Sequence, residues 1–529
     1  MSSIIDHHTT SKDLLDLLLK NRHIRNSEEF LKPSFPQLHL QLKPAVKLIK
    51  KAIANKKNIL IYGDYDVDGI TATAILWQAI YAVYPNIIPF IPHREIDGYG
   101  FKAKSFFRFQ QEKKTNFDLL ITVDNGIVAD AEFAKIKAKQ PIKIIVTDHH
   151  LTNSRLKSID TLVHSIKVSG AAISWFLAHE LNPNADLGLA ALGTVADCLP
   201  LIDINRSIVV HGLQSLRLNP NPGIKKLIQI SGLKPDSISV YDLGFVLGPR
   251  INAVGRLADP TDALRLLCSQ NSFQAAKYAG SLNSYNQDRQ LLQKESTELA
   301  EKIFCKSGSR IRSSLIFIYE PSFNPGIIGL IAGRLTEKYY LPSIILSSND
   351  GVAKGSCRSI PGLNIIEFLR QFSDLFIDLG GHSAAAGFTI KVENIKKLQI
   401  KLTREINKKL KKIVLKPSLN TDAEMTISAA NLKNYHTIQQ LSPFGIGNSE
   451  PLFLFKNLTI NFKKVIGSTG DHLKLKLDKI DAIAFKKGEL AKTLNIGDNI
   501  DIIASLDINT WNNITTPQLI IKEIISVLK

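Results

Sequence analysis

The sequence predicts an α/β chain. Its parts are a parallel-sheet lobe, a long helical connector, a second α/β lobe and a small C-terminal β-barrel or sandwich. Three observations predict this. Over residues 58–148, continuous apolar β-rich runs alternate with helix-forming stretches, the pattern of a parallel sheet covered on both faces. The stretch Phe273 to Phe304 reads as one long polar-faced helix of the kind that links two lobes. From about residue 421 onward, short β-rich segments are separated by turn residues such as Ser468-Thr469-Gly470-Asp471. A length of 529 residues accommodates roughly three or four domains at ~100–200 residues each.

Taken in order, residues 1–57 read as short helices and a basic lead-in. The first α/β lobe spans 58–210. Its strand candidates are Asn58 to Gly63, Ile87 to Ile91, Leu119 to Val123 and Lys143 to Thr147, with apolar helix from about Ile70 to Tyr84. A mostly helical connector fills 211–306. The second α/β lobe occupies 307–395 and opens with the strand-like Ser314-Leu315-Ile316-Phe317-Ile318-Tyr319. A lysine-dense helix and a linker, Lys416-Pro417-Ser418-Leu419-Asn420, cover 396–420, and the β-rich remainder is 421–529.

Composition excludes several classes. With 44% hydrophobic and 22% charged residues, the chain is neither disordered nor fibrous. No apolar run reaches the ~18–20 residues that cross a bilayer, and the N-terminus lacks a basic start followed by an apolar core. The four cysteines, Cys198, Cys268, Cys305 and Cys357, form no CxxC pair, which argues against a zinc ribbon or a disulfide framework. A soluble, cytoplasmic protein is expected. Lys plus Arg is 66 against 48 for Asp plus Glu, a net charge of +18, which suits a polyanionic partner or an anionic membrane surface, and charge alone does not choose between them. Part of that surplus is open to a second reading, as background usage in a chain rich in Lys, Ile and Asn.

Three strand candidates end in carboxylates. The first gives Asp64-Tyr65-Asp66-Val67-Asp68, the second Asp124-Asn125-Gly126, and the third Asp148-His149-His150. In an open parallel sheet these ends converge on the ligand-binding crevice. Carboxylates so gathered repel one another unless a cation sits among them. Oxygen donors with one imidazole favour Mg²⁺ or Mn²⁺ over zinc. Asp197, an acid within an otherwise apolar stretch, is a further candidate ligand. A single Asp after a strand is commonly only a turn former or helix cap. Three in successive βα units point to a metal site, with Asp64 expected to hold the loop and orient the ligands.

With these motifs in place, the sequence resembles the DHH phosphoesterase family, named for the Asp-His-His that stands here at 148–150. The resemblance runs from about residue 40 to the end. It includes Pro92-His93-Arg94 with Asp97-Gly98-Tyr99-Gly100, Pro249-Arg250-Ile251-Asn252 through Arg256, and Asn324-Pro325-Gly326. It continues with Gly355-Ser356-Cys357-Arg358-Ser359, Gly380-Gly381-His382 and Pro443-Phe444-Gly445-Ile446-Gly447-Asn448. In this order the set is closest to the branch that degrades single-stranded DNA from an end. The resemblance implies a DHH catalytic lobe, a DHHA1-like substrate-binding lobe and a C-terminal OB-fold.

It further implies two Mn²⁺ or Mg²⁺ ions held by Asp66, Asp68, Asp124, His149 and Asp197, with Asp124 bridging. His150 is expected near the scissile phosphate, either stabilising charge or moving a proton. Arg94, Ser356 and Arg358 are candidates for a 5′-terminal phosphate, by resemblance and because bidentate donors suit it. Gly380, Gly381 and His382 would meet a nucleotide, and Arg256 either binds substrate or braces the structure. Tyr99, Phe101, Phe106, Phe107 and Phe109, interleaved with Lys102, Lys104 and Arg108, read either as a base-stacking surface or as core. Phe323-Asn324 stands where the family often has Trp-His, and Cys357 where Gly is common, departures that bear on fine specificity.

The function implied is a 5′-to-3′ exonuclease releasing 5′-mononucleotides in recombination and repair. Single-stranded DNA is its partner, a single-strand-binding protein and a helicase are further partners, and the expected state is a monomer. Two alternatives stand beside it. One is a phosphodiesterase for short oligonucleotides or cyclic dinucleotides, whose members usually lack the connector and OB-fold. The other is a non-catalytic single-strand-binding replication scaffold, which would have lost metal-site acids.

Overall fold

A computed structural model describes the chain apart from positions 1–3, 7, 99, 153–154, 307–313, 411–418 and 529. Tyr99, Lys416, Pro417 and Ser418 therefore lie outside the described residues. Two compact units are present. One comprises Met1–Gly248, Leu267–Ser272 and Leu419–Lys529, and the other Pro249–Leu266 and Phe273–Ser418.

The first unit begins with β1 (Ile4–Ile5) and then carries a parallel five-stranded sheet. Its strands are β2 (Ile59–Tyr62), β3 (Ile87–Phe90), β4 (Leu119–Val123), β5 (Lys143–Asp148) and β6 (Thr161–His164), in the order β3-β2-β4-β5-β6. Residues 59–62 and 119–123 are buried throughout, which is why they read as unbroken apolar runs. After β2 the chain crosses to β3 on one side, and then β4 adds on the other. The switch of direction opens a crevice at the carboxyl ends of β2 and β4. There Asp66 caps the helix Val67–Tyr81, its side chain accepting from Gly69 N–H at 3.0 Å.

The base-stacking reading of the aromatic run is corrected. Phe101, Phe106 and Phe109 are buried, and Phe107 is half-buried against the same core. Phe101 packs edge-on to Tyr62 at 4.7 Å and Phe109 stacks on Phe90 at 4.2 Å. Burial of one face of the helix Ala103–Lys113 accounts for Phe106 and Phe109, and Phe101 enters the same core just ahead of that helix.

The helix Ser272–Lys306, in the second unit from Phe273 onward, is one continuous element of 35 residues. A five-stranded sheet follows: β7 (Ile316–Tyr319), β8 (Ser343–Asn349), β9 (Val352–Arg358), β10 (Phe376–Gly381) and β11 (Ala385–Lys391), in the order β10-β11-β9-β8-β7. The β7–β8 pair is parallel and the rest antiparallel. Cys357 is buried in this unit's core.

The C-terminal strands are β12 (Ala423–Met425), β13 (Phe453–Ile466), β14 (His472–Leu477), β15 (Ile480–Ala484), β16 (Asn499–Trp511) and β17 (Ile514–Leu528). The 14-residue β13 pairs with β16 along its first half and with β14 along its second, with a register shift in each pairing. That double use closes β13-β14-β15-β17-β16 into a barrel.

The N-terminal segment differs from a purely helical lead-in. β1 adds to this barrel in parallel, Ile4 opposite Glu424 and Ile5 opposite Met425. Leu14, Leu18 and Phe30 enter the same core as Phe453 and Phe455. A two-residue strand has too little pattern to be read alone; pairing and burial create it.

Arg206, on the helix Asp203–Leu218, ties these parts together. It is 1% exposed and lies 3.9 Å over the Phe30 ring. Its guanidinium donates to Phe30 O at 2.6 Å and Ser442 O at 2.7 Å. Removing it strands buried carbonyls, so Arg206→Ala is expected to destabilise the chain by about 2–4 kcal/mol, read as a lower urea midpoint.

Candidate metal centre and substrate residues

The centre forms where β2, β4 and β5 end. Asp68, the second residue of its helix, is 2% exposed and is held by two backbone donors, Gly170 N–H at 2.7 Å and Ala171 N–H at 2.9 Å. These open the helix Gly170–His179, whose N-terminus favours an anion. Asp124 follows β4 at φ +60°, a left-handed conformation that Asp tolerates better than most residues. Its amide continues the ladder to Thr147 O at 3.0 Å. Asp197 ends the helix Leu187–Ala196.

His149 brings the three together. Its Nε2 lies 3.1 Å from Asp124 Oδ1, 3.6 Å from Asp197 Oδ2 and 3.7 Å from Asp68 Oδ2. Asp124, His149 and His150 form a second group whose donor atoms lie within 4.8 Å of one another. Asp66 stands beside these groups at its helix cap and outside both.

Electrostatics set the character of the site. Burial, then the charge of Asp68 and Asp66, pushes Asp197 up to about 8. Burial and the same two neighbours hold Asp124 well above the usual carboxylate range, and burial with Asp68 raises Asp66. Asp124 Oδ1 is buried and accepts no hydrogen bond among the described residues, despite the nearby imidazole. A buried, orphaned carboxylate oxygen beside a histidine nitrogen that two further acids also approach has the chemistry of a cation site. Oxygen donors with one imidazole fit Mg²⁺ or Mn²⁺.

The remaining acids support this set. Asp64 is pushed up to about 8 by burial and by Asp66, and its Oδ1 accepts from Tyr65 N–H at 2.7 Å. Asp148, read from sequence only as one of the converging strand-end acids, is turned toward its neighbours. It accepts from Ile127 N–H at 2.9 Å and meets His150 Nδ1 at 2.7 Å. Burial opposes charge on His150, but Asp148 raises it to about 9. His149, by contrast, is lowered by burial and is the neutral, ligand-competent ring.

Two glycines were also missed as site residues. A Cβ on Gly170 would lie 2.5 Å from Asp124 Oδ1, and one on Gly193 would lie 2.5 Å from Asp68 Oδ1. Their signal was the small-residue runs around Ser169-Gly170 and Gly193-Thr194.

Arg94 lies in this first unit, its guanidinium 5.6 Å over the ring of Tyr65, between Asp64 and Asp66. The other substrate candidates lie in the second unit. Ser356 and Arg358 project from one face of β9, and Arg358 Nη1 donates to Ser356 Oγ at 3.3 Å. Ser356 sits opposite Gly387, which in turn pairs with Gly380. Gly381 (φ +143°) and His382 continue that exposed edge, with His382 N–H donating to Ala385 O at 2.8 Å. Arg256 donates to Gly326 O at 2.9 Å, a brace within the second unit.

Comparison with known proteins follows the same division. Residues 58–195 match the N-terminal domain of the DHH family, 312–408 the DHHA1 domain and 421–523 the RecJ OB domain. Fold and site therefore define a DHH-type protein with DHHA1 and OB domains. The single-stranded-DNA-specific exonuclease RecJ of Salmonella typhimurium is 30% identical, the match covering 97% of this chain and 95% of that protein. The chain belongs to the RecJ family. The Bacillus subtilis RecJ is 34% identical over 91% of this chain, which spans 63% of that longer relative. The crystal structure of Thermus thermophilus RecJ in complex with Mn²⁺ superposes with a TM-score of 0.82 at 27% identity, covering 97% of this chain and 76% of that one.

Metal should offset the acid repulsion measurably. At a hundredfold excess over its Kd, Mn²⁺ is expected to stabilise the chain by about 2.7 kcal/mol, seen as a rise in Tm that EDTA reverses. Gly170→Ala, which crowds Asp124, should shrink that rise.

Proposed function

We propose that this protein is a metal-dependent exonuclease that hydrolyses single-stranded DNA from its 5′ end to 5′-mononucleotides, in recombination and repair. The observation that carries the reading is the convergence of Asp68, Asp124 and Asp197 on His149 Nε2, with a buried Asp124 oxygen that accepts no hydrogen bond among the described residues. Its membership of the RecJ family supplies the substrate class. Asp66, Asp68, Asp124, His149 and Asp197 would hold Mn²⁺ or Mg²⁺, with Asp124 shared between two ions. When bound, such a pair neutralises charge at phosphorus and lowers the pKa of a water.

The chain's own groups do the rest. Asp148 orients His150 and keeps it cationic, so the ring offers positive charge to an anionic phosphoryl group. Asp68, fixed by two backbone donors, keeps its lone pairs directed without reorganisation. Arg94, Ser356 and Arg358 would recognise the 5′ phosphate, with Gly380, Gly381, His382 and Arg256 toward the nucleotide. In this reading 58–210 is the catalytic domain, 307–395 the substrate-binding domain and 421–529 the platform for the strand. The +18 charge supports the polyanion. No helix among the described residues is long and apolar enough to cross a membrane. A cytoplasmic monomer working with a single-strand-binding protein and a helicase completes the proposal.

Incubation with Mn²⁺ and single-stranded DNA labelled at either end tests it. A 5′-labelled mononucleotide should appear early; release from the 3′ end, internal cuts or no cleavage would overturn the reading. Asp124→Ala should abolish cleavage while single-strand binding in EDTA persists.

A further inference from the structure

The segment Pro443–Asn448, which enters the barrel, has no part in the chemistry above, yet it packs on the stretch that carries Asp197. The helix before Asp197 ends in a left-handed turn. Cys198 takes φ +60°, Cys198 N–H donates to Val195 O at 3.1 Å, and Leu199 N–H donates to Thr194 O at 3.2 Å. Such turns usually place glycine where Cys198 stands, and a side chain there costs about 1 kcal/mol. Asp197 also adds negative charge to a helix C-terminus, where the dipole opposes it. Two local terms thus act against the geometry that presents this carboxylate, so contacts from elsewhere must hold it.

Those contacts come from 443–448. Leu201 N–H, four residues after Asp197, donates to Ile446 O at 2.6 Å. Gly447, at φ +75°, lies so close to Pro200 that a Cβ would stand 2.8 Å from Pro200 Cβ. A Cβ on Gly445 would meet Leu201 Cδ1 at 2.6 Å and Val240 Cγ1 at 3.4 Å. The loop's own shape is fixed by Asn448, 1% exposed, whose Nδ2 donates to Leu441 O at 2.8 Å and Pro443 O at 3.0 Å. Arg22 donates to Asn448 Oδ1 at 3.2 Å.

We propose that the loop Pro443–Asn448 is a positioning element for the metal centre: by clamping Pro200 and Leu201 it sets the turn that aims Asp197 at His149. Gly447 leaves room for the ring and backbone of Pro200, and Gly445 for the side chains of Leu201 and Val240. The proposal rests on the metal-binding reading of Asp197. It adds that residues of the barrel's entry segment, some 250 positions away in sequence, govern metal affinity.

The test is calorimetric titration of the full-length protein with Mn²⁺, with no substrate present. Gly447→Ala should weaken Mn²⁺ binding about 10–100-fold, the range seen when groups that orient a ligand are lost. Gly445→Ala, which presses on the side chains of Leu201 and Val240 and not on backbone, should show a smaller loss in the same direction. Gly470→Ala is the control. It carries the same left-handed strain (φ +73°) in a barrel turn whose Cβ would contact only Val465, and it should leave Mn²⁺ affinity unchanged. Single-strand binding in EDTA reports that each variant is folded. Wild-type Mn²⁺ affinity in folded Gly447→Ala, or an equal loss in Gly470→Ala, overturns the clamp alone. Failure of the wild-type protein to bind Mn²⁺ overturns the metal reading beneath it.

Discussion

Mutual repulsion among buried carboxylates is the constraint around which this structure is organised. Asp66, Asp68, Asp124 and Asp197 share a crevice in which Asp68 and Asp124 are buried and Asp66 and Asp197 partly so, and burial together with neighbouring charge raises three of them. In such a medium like charges interact far more strongly than in water. Left alone, the side chains would turn outward or take up protons. The fold prevents the first by direct means. Gly170 and Ala171 hold Asp68 by their amides, and Gly170 and Gly193 leave no room for a side chain beside Asp124 and Asp68. The site is thus shaped for a cation before one arrives, which is what preorganisation means in energetic terms.

The two histidines of the Asp-His-His motif divide along the same line. They are adjacent in sequence and their rings are 4.5 Å apart, yet burial lowers one while Asp148 raises the other. A neutral imidazole is a ligand and an imidazolium is a cationic donor, so one tripeptide supplies both. Asp148 makes the difference, and it is itself fixed by Ile127 N–H. This also reconciles the net charge of +18 with an acidic centre: the positive surplus is a property of the whole chain, while the centre is built from locally concentrated negative charge.

Much of this was legible in sequence because its cause is local. Parallel strands buried on both faces must be apolar at every position, so Ile59–Tyr62 and Leu119–Val123 announced themselves, and the acids that end them pointed to the crevice. The long helix Ser272–Lys306 was legible for the same reason. What escaped has a non-local cause. β1 exists only because Ile4 and Ile5 pair with Glu424 and Met425. Phe101, Phe106 and Phe109 have a spacing that serves a core and a binding face equally, and only burial decides between them. Gly170 and Gly193 gain their meaning from carboxylates that approach from other segments. The role of Asp148 depends on a hydrogen bond two residues onward that no spacing rule distinguishes from a simple turn.

Non-local dependence is greatest between the barrel and the parallel sheet. An appended binding module would carry its own core and meet its neighbour through exposed surface. This barrel instead takes a strand and three hydrophobic anchors, Leu14, Leu18 and Phe30, from the opposite end of the chain. The buried Arg206 then joins Phe30 and Ser442 to the helix that follows Asp197. These contacts bury backbone carbonyls against the guanidinium, so the parts are expected to lose structure together. A centre whose acids repel one another needs a rigid frame more than an ordinary site does. Phe30 and Ser442, from distant segments, meet on Arg206 of the helix that follows Asp197, and so stiffen the chain next to the turn where local geometry is least favourable.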